Sequence, residues 1–144
     1  MSRQQPLTLE EFKSIYSRVP RLCVDLVIQN EEGTLLTLRQ DNGYVGQWHL
    51  PGGTIYMGEM VQNAIQRVAQ EELGVSLEVI KQLGYIEFPS EQKERGYGYT
   101  ISMVFLCKPM DKEIILDNQV SRYQYFKAIP KNTIIEQREF LSKL

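Results

Sequence analysis

The stretch from Pro51 to Val75 constrains this chain more than any other. It opens on Pro51-Gly52-Gly53, passes Glu59, and carries Val61, Ala64, Ile65 and Val68 before closing on Glu71-Glu72-Leu73-Gly74-Val75. Apolar residues at that three-and-four rhythm form one face of a helix. Gly74 is placed to end it in the left-handed conformation that glycine adopts without strain. The two glycines ahead of the helix let a main-chain carbonyl face inward with no Cβ in the way. On such a helix Glu72 lies one turn beyond Val68, on the prolongation of the apolar stripe, and Glu71 stands one turn above Arg67. A carboxylate under a closed core is costly. At the end of the stripe, where core gives way to a cleft, the pair suits a hard divalent cation, which takes oxygen ligands and shares them with substrate phosphates.

The spacing is more specific than a helix with an acidic end. Gly53, five residues, Glu59, seven residues, Arg67, one residue, Ala69, one residue, Glu71-Glu72, one residue and Gly74-Val75 meet eight of the nine positions of a fixed pattern. That pattern resembles the signature box of the Nudix hydrolases. The resemblance implies an α/β fold, an α/β/α sandwich with a mixed β-sheet between helices. It also implies Mg²⁺- or Mn²⁺-dependent hydrolysis of a nucleoside diphosphate linked to another group, with Arg67, Glu71 and Glu72 as the catalytic candidates. The unmet position is Val68, where the family has a glutamate that binds metal or acts as general base. The GDP-mannose mannosyl hydrolase branch also lacks that glutamate, and this chain is similar to it beyond the box.

Residues 21–29 read as a buried strand, with Leu22, Val24, Leu26 and Ile28 on one face and Cys23, Asp25 and Val27 on the other. Asp25 is a carboxylate in an apolar strand, which makes it a substrate contact or a structural hydrogen-bonding group. Arg39 ends a second strand, as a phosphate partner or a snorkelling surface residue. The mannosyl-hydrolase branch has an aspartate and an arginine at these places, so the resemblance implies Asp25 and Arg39 as substrate-binding residues. It also implies a metal held by the Gly52 carbonyl, Glu72 and Gln119 with Glu71 close by, and a nucleotide sugar as substrate. Val120 stands where the branch carries a histidine base, and Thr54 where it carries an arginine.

The remaining candidates are weaker. His49 is the only histidine, beside the box but out of phase with Trp48 and Leu50. Glu91 and Glu94 lie on a charged loop, 89–98, that could supply a base, and Tyr97 and Tyr99 begin a strand from which they could stack on a base. Thr8 followed by Glu11 is a capping box for a short helix that would cover part of the sheet or meet a second copy of the chain. Leu77–Phe88 and Tyr97–Cys107 read as paired strands, 113–116 and 121–128 as two more, and 133–143 as a last helix with Pro130 at its start. The 144 residues suit one domain, 1–144, around the box at 53–75. A net charge of −2 without a basic tract argues against nucleic acid. Cys23 and Cys107 read as free buried thiols. With no signal-like or membrane-spanning run, a cytoplasmic protein is expected, as a monomer or a homodimer.

Overall fold

The computed structural model describes residues 7–110, 114 and 122–144. Gln119 and Val120 lie outside the described residues, as does all but Ile114 of the strand expected at 113–116. The elements are α1 (Leu9–Tyr16), β1 (Arg21–Asn30), β2 (Gly33–Leu38), β3 (Trp48–His49), β4 (Gly52–Thr54), α2 (Val61–Leu73), β5 (Leu77–Glu87), α3 (Glu91–Arg95), β6 (Thr100–Pro109), β7 (Tyr123–Phe126) and α4 (Ile135–Ser142).

Alternation in β1 builds two cores. Val24, Leu26 and Ile28 pack with Ile65, Val68 and Ala69 of α2 on one side of the sheet. Val27, from the other face, packs with Val104, Ile134 and Leu141 on the side of α4. This is the expected α/β/α sandwich. The strand order is β3-β2-β1-β6-β5, with β4 added to β1 and β7 to β2. β1 runs parallel to β6 from Arg21↔Thr100 to Ile28↔Cys107, while its pairings with β2 and β4 are antiparallel. The sheet is therefore mixed. Cys23 and Cys107 are buried free thiols. No described helix is long and apolar enough to cross a membrane.

Helix α2 ends as expected, with Gly74 in the left-handed region at φ 67° and its amide donating to the Gln70 carbonyl. Helix α1 has the expected capping box, Thr8 Oγ1 accepting from the Glu11 amide and Glu11 from the Thr8 amide. It does not cover the sheet. None of its residues is buried and Leu9 is 67% exposed. Its apolar side instead borders an open groove of about 600 Å³ against Thr54, Ile55, Tyr56, Met57 and Gly58.

Three other boundaries differ from expectation for local reasons. The last helix starts at Ile135, not near Pro130, because Thr133 first bridges to Trp48 and the Ile134 amide donates to the Trp48 carbonyl. The segment 89–98 holds a turn of helix, α3, stopped by Gly96 at φ 89°. Strand β6 begins at Thr100, so Tyr97 and Tyr99 precede it. Tyr97 packs edge-on to Phe12 of α1 and the Tyr99 hydroxyl donates to Glu87.

Candidate active site

Strand β4 joins the two halves of the site. In its register with β1, Asp25 faces Gly52 and Val24 faces Gly53. A Cβ on Gly52 would lie 2.5 Å from both Asp25 Oδ1 and the Val24 carbonyl oxygen, so only glycine fits there. On the other side Gly53 rests on Val68, whose Cγ2 would be 3.2 Å from an added Cβ. Val68 is buried in the core. Its methyl groups fill the place beneath the glycines that a longer carboxylate side chain would have to share.

Arg67 fastens the loop after β4 to α2. Its guanidinium donates to both carboxylate oxygens of Glu59 at 2.8 and 3.0 Å, to the Thr54 carbonyl at 2.7 Å and to Glu71 at 3.2 Å. The cation lies 3.7 Å from the centre of the Tyr56 ring, a stacking arrangement suited to a planar guanidinium. Glu59 also accepts from the Tyr56 amide at 3.0 Å. Glu71 and Glu72 project from the exposed end of the helix. Glu72 is held by the hydroxyl of Tyr123, which donates to its Oε2.

On the α4 side, Gly52 and Gly53 border a cavity of about 90 Å³. Its polar lining comes from Arg21, Asp25, Arg39, His49, Glu91, Arg95, Thr100 and Gln137, with Tyr44 and Phe88 among the apolar walls. Three polar chains hold these walls together. Gln137 of α4 accepts from the Leu50 amide at 2.9 Å and donates to Asp25 Oδ2 at 3.0 Å. The Tyr44 hydroxyl meets Ser90, which donates to Glu136 at 2.7 Å. Arg95 donates to Glu91 at 2.6 Å and to the Asn42 carbonyl at 3.1 Å.

Asp25 is 6% exposed. Burial pushes its carboxyl up from 3.8 to about 6, and the Gln137 hydrogen bond only partly opposes this. The folded pKa lies above the unfolded one, so folding takes up a proton between the two. Stability contributed by this group is present below about pH 4 and is lost as pH rises through about 6, a difference of about 3 kcal/mol. Asp25→Asn keeps an acceptor for Gln137 and removes the charge. It is expected to raise stability at pH 7 by about 1–3 kcal/mol and to flatten this part of the pH profile. Urea denaturation of both proteins at pH 4 and pH 7 checks this; an unchanged difference between the two pH values would count against it.

The model of the NUDIX domain matches residues 19–142. The chain belongs to the NUDIX family. The low-salt glycan biosynthesis protein Agl8 of Haloferax volcanii is 33% identical over 121 residues, which are 82% of this chain and 78% of that protein. An ADP-ribose pyrophosphatase of Methanocaldococcus jannaschii is 30% identical over 107 residues, which are 74% of this chain and 62% of that longer relative. Among solved structures, a MutT NUDIX hydrolase from Burkholderia pseudomallei superposes with a TM-score of 0.73 at 23% identity, covering 88% of this chain and 98% of that one. The chain is thus a Nudix hydrolase, of a family that acts on nucleoside diphosphate derivatives and uses divalent metal ions.

Among the described residues of this Nudix chain, no three His, Cys, Asp or Glu side chains are grouped to hold a metal by themselves. The exposed Glu71–Glu72 pair is an oxygen-only donor set. It fits a hard cation that takes one or two carboxylates and completes its shell with phosphate oxygens and water.

The other candidates divide. Arg39 reaches the cavity, but its Nε and Nη2 already donate to the carbonyls of Asp41, Gly43 and Asn42, closing the loop after β2. His49 lines the cavity despite its phase in the strand. Its Nδ1 meets the Leu50 carbonyl at 2.8 Å, so that nitrogen carries the proton, and burial lowers its pKa to about 4. Glu91 is 2% exposed and lines the cavity, whereas Glu94 is exposed. Tyr97 and Tyr99 line none of it. Sequence reasoning missed Arg21, Arg95, Thr100 and Gln137. Only the Glu91–Arg95 spacing of four residues on a short helix was a readable signal.

Proposed function

We propose that this chain hydrolyses a nucleotide sugar, a nucleoside diphosphate carrying a hexose of the GDP-mannose kind, with Mg²⁺ as its natural cofactor. The observation that carries the reading is the polar cavity that begins at Gly52 and Gly53, the glycines of the Nudix loop. At about 90 Å³ it is several times the minimum for one water, and its lining is rich in donors and acceptors that suit sugar hydroxyls. A hexose seated there leaves its diphosphate at the Gly52–Thr54 edge, which packs against α2. The name of the Haloferax relative, a glycan biosynthesis protein, agrees with this.

Within this reading the Gly52 carbonyl, Glu71, Glu72 and Gln119 would hold the ion; Gln119 is outside the described residues. A bound divalent ion neutralises charge on the departing diphosphate. Arg39 offers the unused edge of its guanidinium to phosphate, and Asp25 accepts from a sugar hydroxyl. Asp25 has its pKa near 6, close to the range in which a general base is effective. Arg67 serves as a positioning residue, holding Glu71 and the loop.

Two bonds are open to water. Attack at the anomeric carbon breaks the carbon–oxygen bond and gives free hexose and nucleoside diphosphate. Attack at phosphorus gives nucleoside monophosphate and hexose phosphate. Val68, with no carboxylate to bring a further metal ligand, favours the first. Incubating the purified protein with Mg²⁺ and a panel of nucleotide sugars, dinucleotides and nucleoside triphosphates, with products resolved by ion exchange, tests both levels. Hexose plus nucleoside diphosphate is the expected result. Hexose phosphate would move the cleaved bond to phosphorus. Turnover of triphosphates alone would overturn the reading, and Mg²⁺-dependent binding without turnover would make the chain a nucleotide-sugar sensor.

A further inference from the structure

The cavity behind Gly52 carries more positive charge than its own carboxylates offset. Arg21, Arg39 and Arg95 all line it. They feel one another: the Arg39 pKa is lowered by burial first and then by Arg95 and Arg21, and the Arg95 pKa by burial and then by Arg21. Against these stand Asp25 and Glu91. Glu91 is paired with Arg95 at 2.6 Å, and Asp25 is bonded by the neutral amide of Gln137. Among the described residues, neither Arg21 nor Arg39 has a carboxylate within ion-pair distance; Arg39 donates to backbone carbonyls and Arg21 Nη1 to the Thr54 hydroxyl at 2.9 Å.

Among the described residues, the same wall holds buried polar atoms with no partner. They are Arg21 Nε, Thr100 Oγ1 and Glu91 Oε1. Thr100 is 4% and Glu91 2% exposed, and all three residues line the cavity. Buried polar atoms in folded proteins are almost always hydrogen-bonded, so this set describes the chemistry that a ligand of the cavity would bring. It needs an acceptor with negative charge beside Arg21 and hydroxyl donors toward Glu91 and Asp25. A neutral hexose supplies the donors and leaves the guanidinium excess in place. A nucleobase supplies N–H groups and no negative charge.

We propose that the cavity is a subsite for an acidic sugar, a hexuronate whose carboxylate is bound by Arg21 while its ring hydroxyls donate to Glu91 and Asp25. This rests on the nucleotide-sugar reading above and narrows it to nucleotide-linked uronic acids. Planar guanidinium and planar carboxylate match in shape and charge. Arg21 reaches the end of the glycine strand from the start of β1, through its bond to Thr54.

Matched pairs that differ only at the sixth carbon test the proposal: UDP-glucose against UDP-glucuronate, and GDP-mannose against GDP-mannuronate. With Mg²⁺ and the full chain, kcat/KM is expected to favour the uronate by roughly 10- to 100-fold, the value of one charge-assisted hydrogen-bonded contact. In Arg21→Gln, checked for an unchanged thermal transition, that preference is expected to fall to within about threefold, with the loss expressed mainly in KM. Thr100→Val provides a second, isosteric change to the same wall and is expected to reduce the preference as well. Equal kcat/KM for both members of each pair in the unaltered protein would overturn the acidic-sugar inference and leave the nucleotide-sugar reading intact. Turnover of triphosphates with no turnover of any nucleotide sugar would remove that reading itself. A uronate preference unaltered in Arg21→Gln would overturn the assignment of Arg21.

Discussion

Glu72→Gln is expected to lower kcat by about 10²–10³-fold, the scale of losing one preorganised electrostatic contact in an active site, while leaving the fold unchanged. The side chain stands at the exposed end of α2. Its fixed contact is the Tyr123 hydroxyl, which donates to Oε2. Glutamine is isosteric and can still accept that hydrogen bond through its amide oxygen. What it cannot do is present a negative charge to a divalent ion. The loss should therefore appear in turnover and in the Mg²⁺ concentration needed for half-maximal rate, with no shift of the thermal midpoint. Activity within threefold of the unaltered protein at every Mg²⁺ concentration would exclude Glu72 as a metal ligand.

The second large effect concerns stability. Arg67→Met is expected to destabilise the protein by about 3–5 kcal/mol, the range for removing one partner of a buried ion pair. Arg67 and Glu59 side chains are 10% and 13% exposed, so solvent screens their interaction little. Methionine would retain some packing against Tyr56 but would leave the Glu59 carboxylate and the Thr54 carbonyl without their donor. The contact with Glu71 adds little, because that side chain is 40% exposed and such pairs contribute about 0–1 kcal/mol. For a domain of this length the loss corresponds to a fall of roughly 10 °C or more in Tm. A double-mutant cycle with Glu59→Gln should return most of the loss as coupling between the two sites. Destabilisation below about 1 kcal/mol would mean that the loop holds its shape without this hub.

The box helix was readable because its determinants are local. The apolar rhythm from Val61 to Val68, the Gly74 stop and the four-residue step from Arg67 to Glu71 all lie within a few turns. Asp25 was readable as an anomaly because alternation placed it in an otherwise apolar strand, although its partner was not. Gln137 reaches it across 112 residues of chain, from a helix in which one glutamine looks like any surface residue. Arg21 was hidden for a similar reason. It looked like the polar start of a strand until β6 brought Thr100 beside it and the loop brought Thr54 under its guanidinium. Helix α1 shows the opposite error. Its capping box was correctly read, but an amphipathic pattern does not say against what the apolar side rests, and here much of it remains open.

The parallel alignment of β1 with β6 has a consequence for biosynthesis. The two strands lie some eighty residues apart in the chain, yet side by side they supply one wall of the chamber, Asp25 from the first and Thr100 from the second. Closing so long a loop is slow and entropically unfavourable. A ribosome must therefore pass β6 and reach Gln137, which also lines the chamber, before the chamber can exist. Nascent chains released after α2 but before that point hold the complete glycine–helix segment and lack the chamber, so truncation products should be catalytically silent.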